Sequence, residues 1–163
     1  MVSTIRLLLR YVPTEQLAGL KQVVLINTGG LSREQRREKT RARGKAINVA
    51  DALAAYRPAN GTEPARIELF VDKILARSRP ELASFSVVRA QAFARSLYRG
   101  IGNHLYTTSQ HAPSEKEALA DQWARRQTAR FMRRRYWYLL PLVWLGYPIR
   151  ALRKMRGKPG TEQ

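Results

Sequence analysis

At 163 residues with 44% apolar side chains, the chain is long enough to bury a core and too apolar to be a disordered one. It contains no cysteine, which excludes disulfides, thiolate zinc sites and thiol nucleophiles together and fits a reducing, cytoplasmic compartment. A balance of 30 Lys and Arg against 12 Asp and Glu gives a formal charge of +18, which favours polyanionic partners and says nothing about fold.

In chain order, Ser3 to Val12 has helical spacing, with Ser3 or Thr4 placed to cap it and Pro13 to end it. Arg6 and Arg10 interrupt the apolar stretch and no cleavage pattern follows, which argues against a signal peptide. Thr14 should cap a short second helix. Gln22 to Ile26 is a β-branched run closed by Asn-Thr-Gly-Gly, which predicts a strand and a turn. Arg33 to Lys45 holds seven basic and two acidic residues and reads as a basic, solvated loop. The stretch around Val49 to Pro58 suits either a helix or a strand. Pro58 to Pro64 is dense in turn residues. Ala65 to Asp72 alternates Ile67, Leu69 and Val71 against Glu68 and Phe70, the pattern of a strand with one covered face.

Beyond Asp72 the period becomes helical. Val87, Ala90, Ala94, Leu97 and Ile101 share one side of a helix, and Val88, Ala92, Arg95 and Arg99 share another. Pro113 and Ser114 open the next helix, with Glu115 and Glu117 near its start, where the helix dipole favours carboxylates. From Arg125 to Lys158 there are eleven basic residues and no acidic one. Tyr136 to Ile149 carries no charge for fourteen residues, yet it is interrupted by Pro141 and Pro148. It also falls short of the roughly 20 residues a spanning helix needs. These readings predict an α+β fold, helix-rich, with a small sheet. The expected division is a domain over residues 1–135 and a basic aromatic tail over 136–163.

Residues 97–126 include the segments Leu-Tyr-Arg-Gly-Ile-Gly-Asn-His-Leu-Tyr and Glu-Ala-Leu-Ala-Asp-Gln-Trp-Ala. This layout resembles the minimal gluzincin-like zinc metallopeptidase domains. Their hallmark reads roughly LYHEIGHHLH, followed by a helix of the type E-x-x-A-D-x-x-A. Such a site needs two imidazoles one helical turn apart, a Glu beside the first as general base, and a carboxylate ligand from a second helix. Leu97, Tyr98, Ile101, Gly102, His104, Leu105, Glu117, Ala120, Asp121 and Ala124 match. The resemblance covers residues 64–126, with Arg66 to Leu75 as the edge strand and turn ahead of the active helix.

Carried over position by position, the resemblance implies a degenerate centre. The first His position is Arg99, the general-base position Gly100 and the second His position Asn103; the third ligand, Glu117, and its supporting Asp121 remain. Arginine cannot ligate a cation and glycine has no side chain to accept a proton. The family's zinc is therefore expected to be lost and no cofactor to replace it. In the emptied site Arg99 is expected to pair with Glu117, in a bidentate manner, or with Asp121. A residual His104–His111–Glu117 site is the alternative, weighed against ordinary packed or loop histidines.

The expected function is a catalytically inactive, zincin-like binding or scaffold module. The rivals are a divergent metal-dependent hydrolase and a basic nucleic-acid-binding protein. No helix-turn-helix, RRM or zinc-finger fingerprint supports the latter, and no small-molecule substrate is indicated. The tail places Arg133, Arg134, Arg135, Tyr136, Trp137, Trp144, Arg150, Arg153 and Lys154 as candidate contacts to an anionic membrane surface, a peripheral location, or to a protein partner. The competing reading is that this segment packs on the domain's own core.

Overall fold

The computed structural model of the chain describes residues 1–42, 45–77, 85–107 and 112–139. Within them the fold is α+β, as the sequence predicts. Its elements are α1 (Val2–Leu9), β1 (Leu20–Ile26), α2 (Arg33–Arg37), β2 (Lys39–Ala42), β3 (Lys45–Asn48), β4 (Ala54–Arg57), β5 (Ala65–Phe70), α3 (Val71–Ala76), α4 (Ser86–Thr107) and α5 (Pro113–Arg135). Two compact units divide the chain, Met1–Phe131 and Met132–Gln163. The second is described only over the end of α5 and a 3-10 turn, Trp137–Leu139.

Three strands form a mixed sheet in the order β1-β5-β4, with β1 parallel and β4 antiparallel to β5. The strand around Ile67 is thus central, where the resemblance placed an edge strand. Its burial explains the difference. Ile67 and Leu69 are fully buried on one face, and Glu68 at 6% and Phe70 at 0% exposure are buried on the other. The alternation suggested one covered face; both are covered. Tyr56 pairs with Ile67 across β4 and β5, so it shares the face that carries α4.

The α4 side of the sheet holds the larger core: Leu8, Ile67, Leu69, Ile74, Phe93, Leu97, Tyr98 and Ile101 are buried within the first unit. Tyr98 Oη donates to the Leu8 carbonyl at 3.0 Å and tethers the end of α1 to α4. Tyr11 meets Phe131 edge-on at 5.1 Å. The opposite face is covered by a smaller cluster, Val49, Ala52, Ala55 and Phe70, with Ile26, Leu31 and Ile47 packed against it.

Several local expectations are corrected. α1 begins at Val2 with no side-chain cap, so neither Ser3 nor Thr4 serves as one. The Thr14 segment is a single 3-10 turn entered from Pro13, likewise without a side-chain cap. The segment read as a basic loop contains a helix and a strand and leads into a second strand. Ser32 and Gln35 form a reciprocal capping box that starts α2, and β2 pairs antiparallel with β3. The ambiguous stretch after Asn48 resolves into a 3-10 turn, Val49–Asp51, followed by β4.

Candidate functional site

Two glycines in α4 set the geometry. A Cβ built on Gly100 would stand 2.7 Å from Cγ2 of Ile67, so the helix lies directly on the central strand there. A Cβ on Gly102 would stand 2.8 Å from the carbonyl oxygen of Ala120 and 2.9 Å from its Cα. The two residues are about 200° apart around the helix. One therefore admits the sheet and the other admits α5, which explains Gly-Ile-Gly without reference to catalysis. At position 100 a larger side chain would collide with a buried, β-branched neighbour.

The close crossing at Gly102 and Ala120 brings Arg99, one turn earlier, opposite Glu117 and Asp121. Arg99 Nη2 lies 2.5 Å from Glu117 Oε1, and Arg99 Nε lies 3.0 Å from Asp121 Oδ1. The pairing expected from sequence is present. Its form differs: the guanidinium is not bidentate on Glu117 but divides its fork between two carboxylates one helical turn apart. Two charge-assisted contacts from this one side chain hold α4 to α5.

Asn103 and Glu117 line a cleft of about 260 Å³ together with Thr40, Tyr56, Tyr106, Thr107 and Lys116. Lys116 Nζ donates to the Thr107 carbonyl at 3.1 Å and closes one end. The lining offers hydroxyls, an amide, an ammonium and a carboxylate. Tyr56, Tyr106, Thr40 and Lys116 had no signal in the sequence, because the elements carrying them meet only in the fold.

His104 is committed elsewhere. Its Nε2 lies 2.8 Å from the Ala18 carbonyl oxygen and its Nδ1 lies 3.0 Å from Tyr56 Oη. One tautomer satisfies both contacts: Nε2–H donates to the carbonyl, and Nδ1 accepts the tyrosine O–H. Burial raises the pKa of Tyr56, against a smaller lowering by a hydrogen bond with Thr107, which keeps the phenol a donor. A Cβ added at Gly19, whose φ of 84° only glycine adopts readily, would meet this ring at 3.6 Å. His104 is thus a cross-link between α4, β4 and the turn before β1, with both ring nitrogens engaged in hydrogen bonds. His111 lies outside the described residues. Among the described residues, no group of three or more His, Cys, Asp or Glu is placed to hold a metal ion.

A second cleft, of about 400 Å³, opens on the other face of the sheet. Its wall is a charge network. Arg57 joins Glu38 and, at 3.3 Å, Glu68; Arg66 joins Glu68 at 3.0 Å and Glu63. The hydrogen bond from Arg57 is the main reason the Glu38 carboxyl sits below its ordinary range. Glu68, the one buried carboxylate among the described residues, is thereby flanked by guanidinium groups on two sides.

Of the tail contacts named from sequence, Arg133, Arg134 and Arg135 stand exposed in the last turn of α5. Trp137 follows at 67% exposure, and Tyr136 is half-buried. Trp144, Arg150, Arg153 and Lys154 lie outside the described residues. Among the described residues no helix is long and apolar enough to cross a membrane. Compared with known protein families, curated protein sequences and solved structures, the chain gives no match.

Proposed function

We propose that this chain is a non-catalytic binding or scaffold module built on a zincin-like helix pair. The observation that carries the reading is the guanidinium of Arg99 spanning Glu117 and Asp121. In a working gluzincin a zinc ion draws a carboxylate on one helix toward two imidazoles on the other. On this reading a side chain supplies the positive charge at the position the resemblance gives to zinc, and its two contacts hold α4 to α5. The cleft beside it offers polar groups suited to recognition. A protein partner or an anionic surface fits a module of +18 charge.

The test is zinc titration of the purified protein by calorimetry, beside a proteolysis assay on unfolded casein. The expected result is no saturable zinc binding near one equivalent and no chelator-sensitive cleavage. Stoichiometric zinc together with chelator-sensitive turnover would establish the hydrolase reading instead.

A further inference from the structure

The exposed end of α5 carries a feature independent of the Arg99 site. Arg133, Arg134 and Arg135 form the last turn, and the Tyr136 amide donates to the Met132 carbonyl at 2.8 Å, so the chain leaves the helix in an ordered way. The 3-10 turn Trp137–Leu139 then presents Trp137 at 67% and Tyr138 at 54% exposure. Large aromatic rings are rarely left this open when a core is available to them. The arginines are equally uncommitted. Among the described residues none of the three has an ion pair, whereas Arg57, Arg66 and Arg99 are each held by carboxylates. Ahead of them α5 adds exposed Arg125, Arg126 and Arg130, and no acidic residue follows Asp121 on that helix.

We propose that this segment docks the protein on an anionic membrane surface, with the arginines on lipid headgroups and Trp137 and Tyr138 in the interfacial layer. Tryptophan and tyrosine favour that layer because it satisfies an apolar ring and a polar edge together. Arginines beside them gain from the negative surface potential. The sequence continues uncharged to Ile149 before turning basic again at Arg150, as suits a segment lying along an interface. Phosphates of a nucleic acid would attract the same arginines. Single-strand sites, however, interleave basic residues among the aromatics along a groove. In this chain the arginines precede the aromatics as a block.

The experiment is co-sedimentation of the full chain with vesicles of phosphatidylcholine, with and without phosphatidylserine, at low and high salt. Binding should require the anionic lipid, weaken with salt, and shift the tryptophan emission to the blue. Each arginine removed should weaken partitioning about fivefold, so R133Q/R134Q/R135Q should lose roughly a hundredfold. The lysine version, R133K/R134K/R135K, should keep most of the binding, and it carries the test should the glutamine variant lose helix content. W137A/Y138A should reduce both the binding and the blue shift. Absence of vesicle binding at low salt overturns the proposal. So does an aromatic variant with unaltered binding and emission, which would mark simple charge adsorption. An RNA oligonucleotide that binds while vesicles fail to compete overturns it in favour of nucleic acid.

Discussion

Replacing Arg99 with Met removes the guanidinium and keeps most of the apolar stem, so it isolates the charge that bridges α4 and α5. The side chains of Arg99, Glu117 and Asp121 are 24%, 15% and 29% exposed, which places the cluster between a surface pair and a sealed one. A surface pair contributes about 0–1 kcal/mol. Breaking a buried pair costs about 3–5 kcal/mol because a charge is stranded. Two contacts are lost together here, and two carboxylates one turn apart lose the guanidinium between them, with solvent reaching both. The expected cost is about 2 kcal/mol, midway between these limits. Urea denaturation followed by circular dichroism reads it as a fall in midpoint of about 1 M. A cycle with Glu117→Gln should give a coupling of about 1 kcal/mol. Should Arg99→Met leave stability within about 0.3 kcal/mol, with no coupling to Glu117, the guanidinium is not what holds the helix pair.

Other consequences follow from the packing and the ionised groups. Gly102→Ala should cost about 1–3 kcal/mol, because its new methyl meets the backbone of Ala120. Gly100→Ala should be partly relieved by Ile67→Ala, so that the double variant loses less than the sum of the two single losses; strict additivity would remove the close-contact explanation. His104→Ala removes the hydrogen bonds to the exposed Ala18 carbonyl and to the Tyr56 hydroxyl and should lower stability by about 1 kcal/mol, read as a reduced thermal midpoint. Glu38 and Asp72 titrate below their ordinary values of 4.5 and 3.8. For Glu38 the leading cause is the Arg57 hydrogen bond; for Asp72 burial pushes upward, but hydrogen bonds from Thr28 and nearby amides prevail. A depressed carboxyl contributes stability above its unfolded pKa and loses it as pH falls through the folded one. Unfolding free energy should therefore decline in acid below those two values, and the decline should be shallower in Glu38→Gln and Asp72→Asn.

Local chemistry made the strands at Val23 and Ile67 and the helices around Leu97 and Ala120 legible, since β-branched runs and helical periods are short-range signals. The Arg99 pairing was legible through the resemblance, which sets Arg99 at a lost ligand position opposite Glu117 and Asp121. What the chain hides is long-range. Gly100 reads as a missing base until Ile67, thirty-three residues earlier, is found against it. His104 reads as a spare ligand until Ala18 and Tyr56 occupy its ring. In the basic segment, the charges of Lys39 and Arg41 obscure a strand whose partner, β3, supplies the ladder. Tyr56 and Lys116 gave no hint of a shared cleft, since neither belongs to a pattern that spacing reveals.

We propose that Arg99 stands where a metal would stand between two zincin-like helices. This is tested most directly by zinc titration of R99H/N103H, with Glu117 intact. The two substituted positions lie one turn apart on α4, and Glu117 faces Arg99 from α5. This variant leaves Gly100 and its contact with Ile67 untouched. The account predicts near-stoichiometric zinc binding that E117Q weakens strongly, and no comparable binding by the parent chain. Failure of the folded double variant to bind zinc, or binding that ignores Glu117, would contradict it.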